Sequence, residues 1–179
     1  MYYARLALIL LAGFLASCGD MKNDLLPSGE DRSASAQTEE TVVETVADFT
    51  LPDTLNRSVS LYETLAGYDG VVLYFTMWCP VCSAHMDHML ANVTPLYPNV
   101  KFFLVDYVSG SVEAARTAEV SNGYAISAFT TLVDVNDDLL KTFGATMGTT
   151  VVIDSSGAIA MKEDYKDGTA LKAALEGLK

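Results

Sequence analysis

The run Val71-Val72-Leu73-Tyr74-Phe75-Thr76-Met77-Trp78-Cys79-Pro80-Val81-Cys82 decides how this chain folds. Its first five residues are β-branched, aromatic or leucine with no polar break, the pattern of a strand covered on both faces. From Pro80 the periodicity changes. Met86, Met89, Leu90 and Val93 recur at helical spacing, so a helix is expected over about residues 80–96, with Pro95 and Pro98 helping to end it. Two cysteines therefore stand where a buried strand turns into a helix. Unpaired N–H groups and the helix dipole favour an anion there, so a thiol at Cys79 is expected to ionise readily. Pro80 suits the first helical turn, where its missing N–H costs nothing. The second sulfur, one turn in, is close enough to close a strained, reducible bond to the first. Trp78 is placed to shield the pair. A structural disulfide and half of a zinc site are the plainer alternatives, and zinc would need two further ligands from a chain with only two His.

Outward from this stretch, strand and helix patterns alternate. Residues 46–51 and 58–61 read as short strands around the turn Pro52-Asp53-Thr54-Leu55-Asn56. Val100-Lys101-Phe102-Phe103-Leu104-Val105 is a second buried strand, and Ser111 is positioned to cap a helix that reaches about Val120. Strands follow over 129–133 and 149–153, with a short helix over 137–143 between them. Asp154-Ser155-Ser156-Gly157 turns into a strand over 158–162, and a last helix spans about 169–178. This order predicts an α/β fold: a central mixed sheet flanked by helices, with an N-terminal β-hairpin extension. Asp134, Asp137 and Asp138 read as turn and cap residues, since they lack the spacing of a calcium loop.

The amino terminus reads as an address. Arg5 precedes the apolar run Leu6-Ala7-Leu8-Ile9-Leu10-Leu11-Ala12, which is too short to span a bilayer and fits a secretory signal over residues 1–17. It ends in Leu15-Ala16-Ser17-Cys18, which resembles the bacterial lipoprotein signal, in which cleavage before the Cys accompanies lipidation of its sulfur. An ordinary signal peptide with an incidental Cys is the alternative. Lipidation of Cys18 also settles the odd cysteine count, because one pair remains. Gly19 rather than Asp follows Cys18, a context that enterobacterial sorting sends to the outer membrane. Residues 18–45 are polar, small and acidic, a flexible tether that lets the following domain, residues 46–179, wander roughly 25–30 Å from the surface.

The 179 residues suffice for one domain of ordinary size with its own core. Lys and Arg number 11 against 23 Asp and Glu, a net charge of −12, which repels phosphate backbones and argues against nucleic-acid binding. Three Cys are too few for a disulfide-stapled mini-protein.

The chain resembles the thioredoxin superfamily, in the branch of membrane-tethered extracytoplasmic thiol-disulfide oxidoreductases and redoxins related to the alkyl hydroperoxide reductase/thiol-specific antioxidant family. The resemblance rests on Ala47-Asp48-Phe49-Thr50-Leu51, the strand into Trp78-Cys79-Pro80-Val81-Cys82, the closing Val151-Val152-Ile153-Asp154-Ser155-Ser156-Gly157 and the C-terminal helix. It implies a thioredoxin-like fold with Cys79 as nucleophile and Cys82 as resolving thiol. Protein thiols and disulfides are the implied partners, with a membrane electron donor and no cofactor beyond the Cys79–Cys82 disulfide. Substrate contacts would come from Trp78, Pro80, Val81 and the loop at Met147 and Gly148.

Four positions depart from the family pattern. Met147-Gly148-Thr149-Thr150 stands where relatives place a cis-Pro, and a cis bond without Pro costs about 3 kcal/mol, so this loop is expected to be trans. Leu73 occupies the place of a buried carboxylate. His85 replaces a Glu three residues after the second Cys, and is a candidate proton acceptor. Val72 replaces the Pro of the peroxidase loop, although Thr76 keeps its Thr, which weakens a thiol peroxidase reading. Copper binding is a further alternative, since Cys79, Cys82 and His85 could be joined by His88 and by Met77, Met86 and Met89. Against it, His85, His88 and Asn92 read as the solvated face opposite the methionine stripe.

Overall fold

A computed structural model describes residues 45–178. The hairpin pairs β1 (Thr50–Pro52) with β2 (Ser58–Ser60), antiparallel, as a separate two-stranded sheet. The main sheet has five strands in the order β5-β4-β3-β6-β7: β3 (Gly70–Thr76), β4 (Val100–Asp106), β5 (Thr130–Val133), β6 (Thr149–Asp154) and β7 (Ile159–Asp164). β3, β4 and β5 run parallel, while β6 and β7 are antiparallel additions on the other side of β3. This is the mixed sheet that the sequence predicts.

β3 lies in the middle, and all seven of its residues are buried. Its alternation sorts the core into two layers. Val72 and Tyr74 face Phe102, Leu104, Val152 and the helices α2 (Pro80–Asn92) and α5 (Thr169–Glu176). Val71, Leu73 and Phe75 face Phe103, Val105, Val151 and the helices α1 (Leu61–Leu65) and α4 (Asp138–Phe143). The methionine stripe is core, as its spacing requires: Met86, Met89 and Val93 are fully buried and Leu90 is half-buried. Burying each such side chain contributes about 1.5–3 kcal/mol.

Several boundaries differ from expectation, among them β1, expected over 46–51 and found at Thr50–Pro52, and β7, expected over 158–162 and found at Ile159–Asp164. The strand read over 58–61 stops at Ser60, whose hydroxyl accepts from the Glu63 N–H and starts α1. The Ser60-x-x-Glu63 spacing of a capping box was the available signal. α2 ends at Asn92, not near residue 96, because Val93 leaves the helical backbone region and Pro95 has no N–H to return to Ala91. A 3-10 turn, Thr94–Leu96, follows. Asp137 supplies no side-chain cap to α4, whose first N–H groups go instead to buried Asp134: Asp138 at 2.8 Å and Leu140 at 2.9 Å. α3 (Val112–Ser121) begins on Ser111 as expected, the hydroxyl accepting from the Ala114 N–H.

Candidate active site

The site forms where β3 gives way to α2. Trp78 makes the turn in the left-handed region at φ 57°, a conformation that costs a bulky residue about 1–2 kcal/mol and that its surroundings fix at both ends. Its backbone N–H donates to the Thr76 hydroxyl, and its indole N–H donates to the Asp106 carboxylate at 2.8 Å. Asp106 closes β4, is fully buried, and also accepts from the N–H groups of Val108 and Ser109 and from the Ser109 hydroxyl. The indole face lies 6.3 Å from the Tyr124 ring.

Cys79 is the residue before the helix, in extended conformation, and its sulfur accepts the Cys82 N–H at 3.3 Å. The two sulfurs are 2.9 Å apart as a hydrogen-bonded dithiol. They are not equivalent. Cys79 is half-buried, whereas Cys82 is wholly enclosed. Burial pushes the Cys82 thiol up, but hydrogen bonds from the Cys79 thiol, the Met77 and Cys79 backbone and the Thr76 hydroxyl outweigh it, so Cys82 is held below its ordinary value. A single proton lost from this pair leaves a charge that both sulfurs help to hold.

The arrangement differs from the sequence reading at two points. Leu73 is not beneath the sulfurs; it packs on the opposite face of the sheet with Val71 and Phe75. The strand's parity puts Tyr74 on the sulfur side, in the layer that holds Cys82 and Met86. His85 and His88 are also not a solvated face. Both are half-buried, and each bonds a tyrosine through Nδ1: His85 to the Tyr74 hydroxyl at 3.0 Å and His88 to the Tyr165 hydroxyl at 2.7 Å. The cause is Tyr165, which follows β7 and brings its ring to 5.0 Å from that of His85. Asn92 alone of that expected face is exposed.

Burial, with the His88 charge added, holds His85 below its usual value and keeps the imidazole neutral at pH 7. Burial, with Cys82 and Cys79 added, pushes the Tyr74 phenol well above its usual value. Burial and the Asp167 charge push Tyr165 up to about 12.

The loop ahead of β6 passes beside these groups. Met147 packs against the layer containing Cys82, with Trp78 and Cys79. Gly148, at φ 89°, would bring a Cβ to 3.8 Å from the His85 ring. Its N–H donates to the Phe75 carbonyl and its carbonyl accepts from Tyr165 N–H, which ties the loop to β3 and to the segment after β7. The peptide bonds of the described residues are all trans. Pro80 and Val81, which follow Cys79 directly, are exposed, as are Met77 and Val108. The expected residues Trp78, Cys79, Cys82, His85, Met147 and Gly148 are thus gathered around one layer. Tyr74, Tyr165, Tyr124 and Asp106 join them without having been singled out in the sequence.

Among the described residues, no three His, Cys, Asp or Glu side chains converge as metal ligands. Both arginines of the described residues are paired with carboxylates, Arg57 with Asp53 and Arg116 with Glu119. Cys18 lies outside the described residues, as do the expected signal and most of the tether. No described helix is long and apolar enough to cross a membrane.

The architecture matches known structures closely in extent and loosely in sequence. A thioredoxin-like protein from Aeropyrum pernix superposes with TM-score 0.58 at 18% identity, covering 73% of this chain and 89% of its own. Peroxidoxin BcpB from Mycobacterium tuberculosis gives TM-score 0.60 at 24% identity, covering 76% and 96%. DsbF of MTB, solved in mixed oxidized and reduced forms, gives 0.59 at 22%, covering 73% and 95%. No curated protein sequence matches at comparable significance. The sequence pattern of the AhpC/TSA family matches residues 42–162, a span that contains the dithiol and every strand of the main sheet up to β7. The chain therefore belongs to the AhpC/TSA family and is a redoxin of the thioredoxin superfamily.

Proposed function

We propose that this protein is a lipid-anchored, extracytoplasmic thiol-disulfide oxidoreductase acting on disulfides of partner proteins. One observation carries the reading: a half-exposed sulfur at a helix N-terminus, Cys79, lies 2.9 Å from a fully enclosed one, Cys82. Only Cys79 can be reached by a protein disulfide. Its thiolate attacks, forming a mixed disulfide and releasing one partner sulfur as thiolate; Cys82 then attacks Cys79, releasing the other and closing the Cys79–Cys82 disulfide. The exposed apolar side chains Met77 and Val81, two residues to either side of Cys79, offer the partner an apolar surface near the sulfur. Continued turnover as a reductase draws two electrons per cycle from a membrane dithiol carrier. The lipoprotein signal ending at Cys18 supports the anchor and the compartment, and the acidic tether supports a domain held off anionic headgroups.

The test is reduction of a protein disulfide such as insulin by the full chain with a regenerating dithiol. Cys79→Ser is expected to abolish turnover, and Cys82→Ser to accumulate a covalent adduct with substrate. Full activity in both variants would overturn the proposal. Loss of membrane association in Cys18→Ser checks the anchor separately.

A further inference from the structure

Resolution of the mixed disulfide poses a proton problem, and the structure holds a specific answer; this inference rests on the oxidoreductase reading above. In the dithiol, the foremost group offsetting the burial of Cys82 is the Cys79 thiol. Once Cys79 is bonded to substrate it carries no hydrogen, and that stabilisation is gone. Cys82 remains fully enclosed, so its proton has to leave through the protein before the sulfur can attack. Among the described residues no carboxylate is placed to take it: Leu73 packs on the opposite face of the sheet from the sulfurs, and Asp106 is committed to Trp78, Val108 and Ser109.

We propose that Tyr74 relays the Cys82 proton to His85. The Tyr74 phenol is fully buried in the same layer as Cys82, near enough for the charge of that sulfur to help push it up. Its hydroxyl meets His85 Nδ1 at 3.0 Å. A neutral His85 with its hydrogen on Nε2 accepts that hydroxyl proton at Nδ1, leaving the phenol oxygen to accept from Cys82. The step is a concerted shift: the Cys82 S–H bond breaks as the Tyr74 oxygen gains its hydrogen, and the original Tyr74 hydrogen moves to Nδ1. The Cys82 thiolate then displaces the substrate sulfur from Cys79. Substrate is reduced by two electrons, the dithiol is oxidised, and the half-buried His85 returns its Nε2 proton to solvent or to the departing thiolate. Tyr74 never holds a full charge, which its depth in the core would oppose.

Tyr107 and Tyr124, the latter bonded to Asp87, lie near enough to Cys82 for its charge to help push their phenols up. His88 follows on α2 and repels a charge on His85; Tyr165 faces both histidines from the segment after β7; Asp167 lies beyond Tyr165. The loop at Met147, Gly148 and Thr149 contributes none. His88 and Tyr165 hold each other at 2.7 Å and thereby buttress the His85 ring. They are positioning residues.

The reduced full chain reacting with 5,5′-dithiobis(2-nitrobenzoate) separates the steps, because one thionitrobenzoate leaves when Cys79 attacks and a second when Cys82 resolves. Tyr74→Phe and His85→Gln are expected to leave the first phase within about twofold of wild type and to slow the second about tenfold or more at pH 7. The second-phase pH profile, bent by His85 in the wild type, should become that of a bare thiol in both variants. An unchanged second phase in both overturns the relay while leaving the oxidoreductase reading intact. Absence of the first phase in the wild type overturns that reading instead. Should Tyr74→Phe fail to fold, His85→Gln, at a half-buried position of α2, carries the test.

Discussion

The indole N–H of Trp78 is anchored 2.8 Å from the carboxylate of Asp106, a residue on a neighbouring strand that exposes almost none of its surface. That bond spans the groove between the β3–α2 turn and the end of β4, and it holds a left-handed residue next to the reactive sulfur. Asp106→Ala leaves the indole N–H and the Val108 and Ser109 N–H groups without their acceptor. A loss of about 1–3 kcal/mol is expected, since buried donors left unpaired cost that much. Trp78 is the only tryptophan, so its emission should shift to longer wavelength as water reaches the ring. Denaturant titration followed by fluorescence measures both, and unchanged stability with unchanged emission would remove Asp106 from the site.

Unequal exposure of the two sulfurs predicts unequal alkylation. Native reduced protein treated with iodoacetamide should be modified at Cys79, and Cys82 should react only after unfolding, because its surface is fully covered. Peptide mapping of the labelled protein reads the outcome. Equal labelling in the folded state would contradict the assignment of Cys79 as the attacking thiol.

Stability of the reduced form should rise with pH. Cys82 has a folded value below its ordinary 9.0, so the fold binds its proton less tightly than the unfolded chain does. Its contribution is fully present above 9.0 and is lost as pH falls through the lowered value. His85, also lowered, acts with the same sign below its ordinary 6.5. Tyr74, raised, contributes stability that is present below 10.0 and lost only at higher pH, so it leaves the window between 6.5 and 9.0 untouched. Urea unfolding of reduced and disulfide-closed protein at several pH values isolates the cysteine part, which the oxidised form lacks. A flat difference across that window would contradict it.

The fold was legible where burial dictates composition. Val71 to Phe75 could only be an interior strand, and Met86, Met89 and Val93 only the buried face of a helix, because each pattern matches one backbone period. Ser58-Val59-Ser60-Leu61 reads as a strand because alternation and an N-cap signal overlap on the same residues, and in the structure the Ser60 hydroxyl caps α1 and ends the strand. The dithiol was legible from its place at a strand–helix junction. Its proton chemistry was not. Tyr74 looks like any core aromatic until strand parity assigns it a side, and Tyr165 meets His88 across 77 residues of chain that carry no local pattern.

The Gly148 loop gives a last prediction. The thioredoxin resemblance implies a proline in this loop, which suggests placing one at Gly148. The structure argues the reverse. Gly148 sits at φ 89°, where proline's ring, fixed near −65°, cannot go, and the Gly148 N–H that proline lacks is donated to Phe75 at the end of β3. Gly148→Ala keeps that hydrogen bond and meets only the left-handed penalty, about 1–2 kcal/mol. Its Cβ fits in ordinary contact with the His85 ring. Gly148→Pro loses both conformation and bond and should cost about 3 kcal/mol or more. Thermal melts of the three proteins are expected in the order wild type, Gly148→Ala, Gly148→Pro, from most to least stable. A proline variant as stable as wild type would show that the loop can adopt the family's conformation, and the substrate-facing geometry around Met147 would have to be redrawn accordingly.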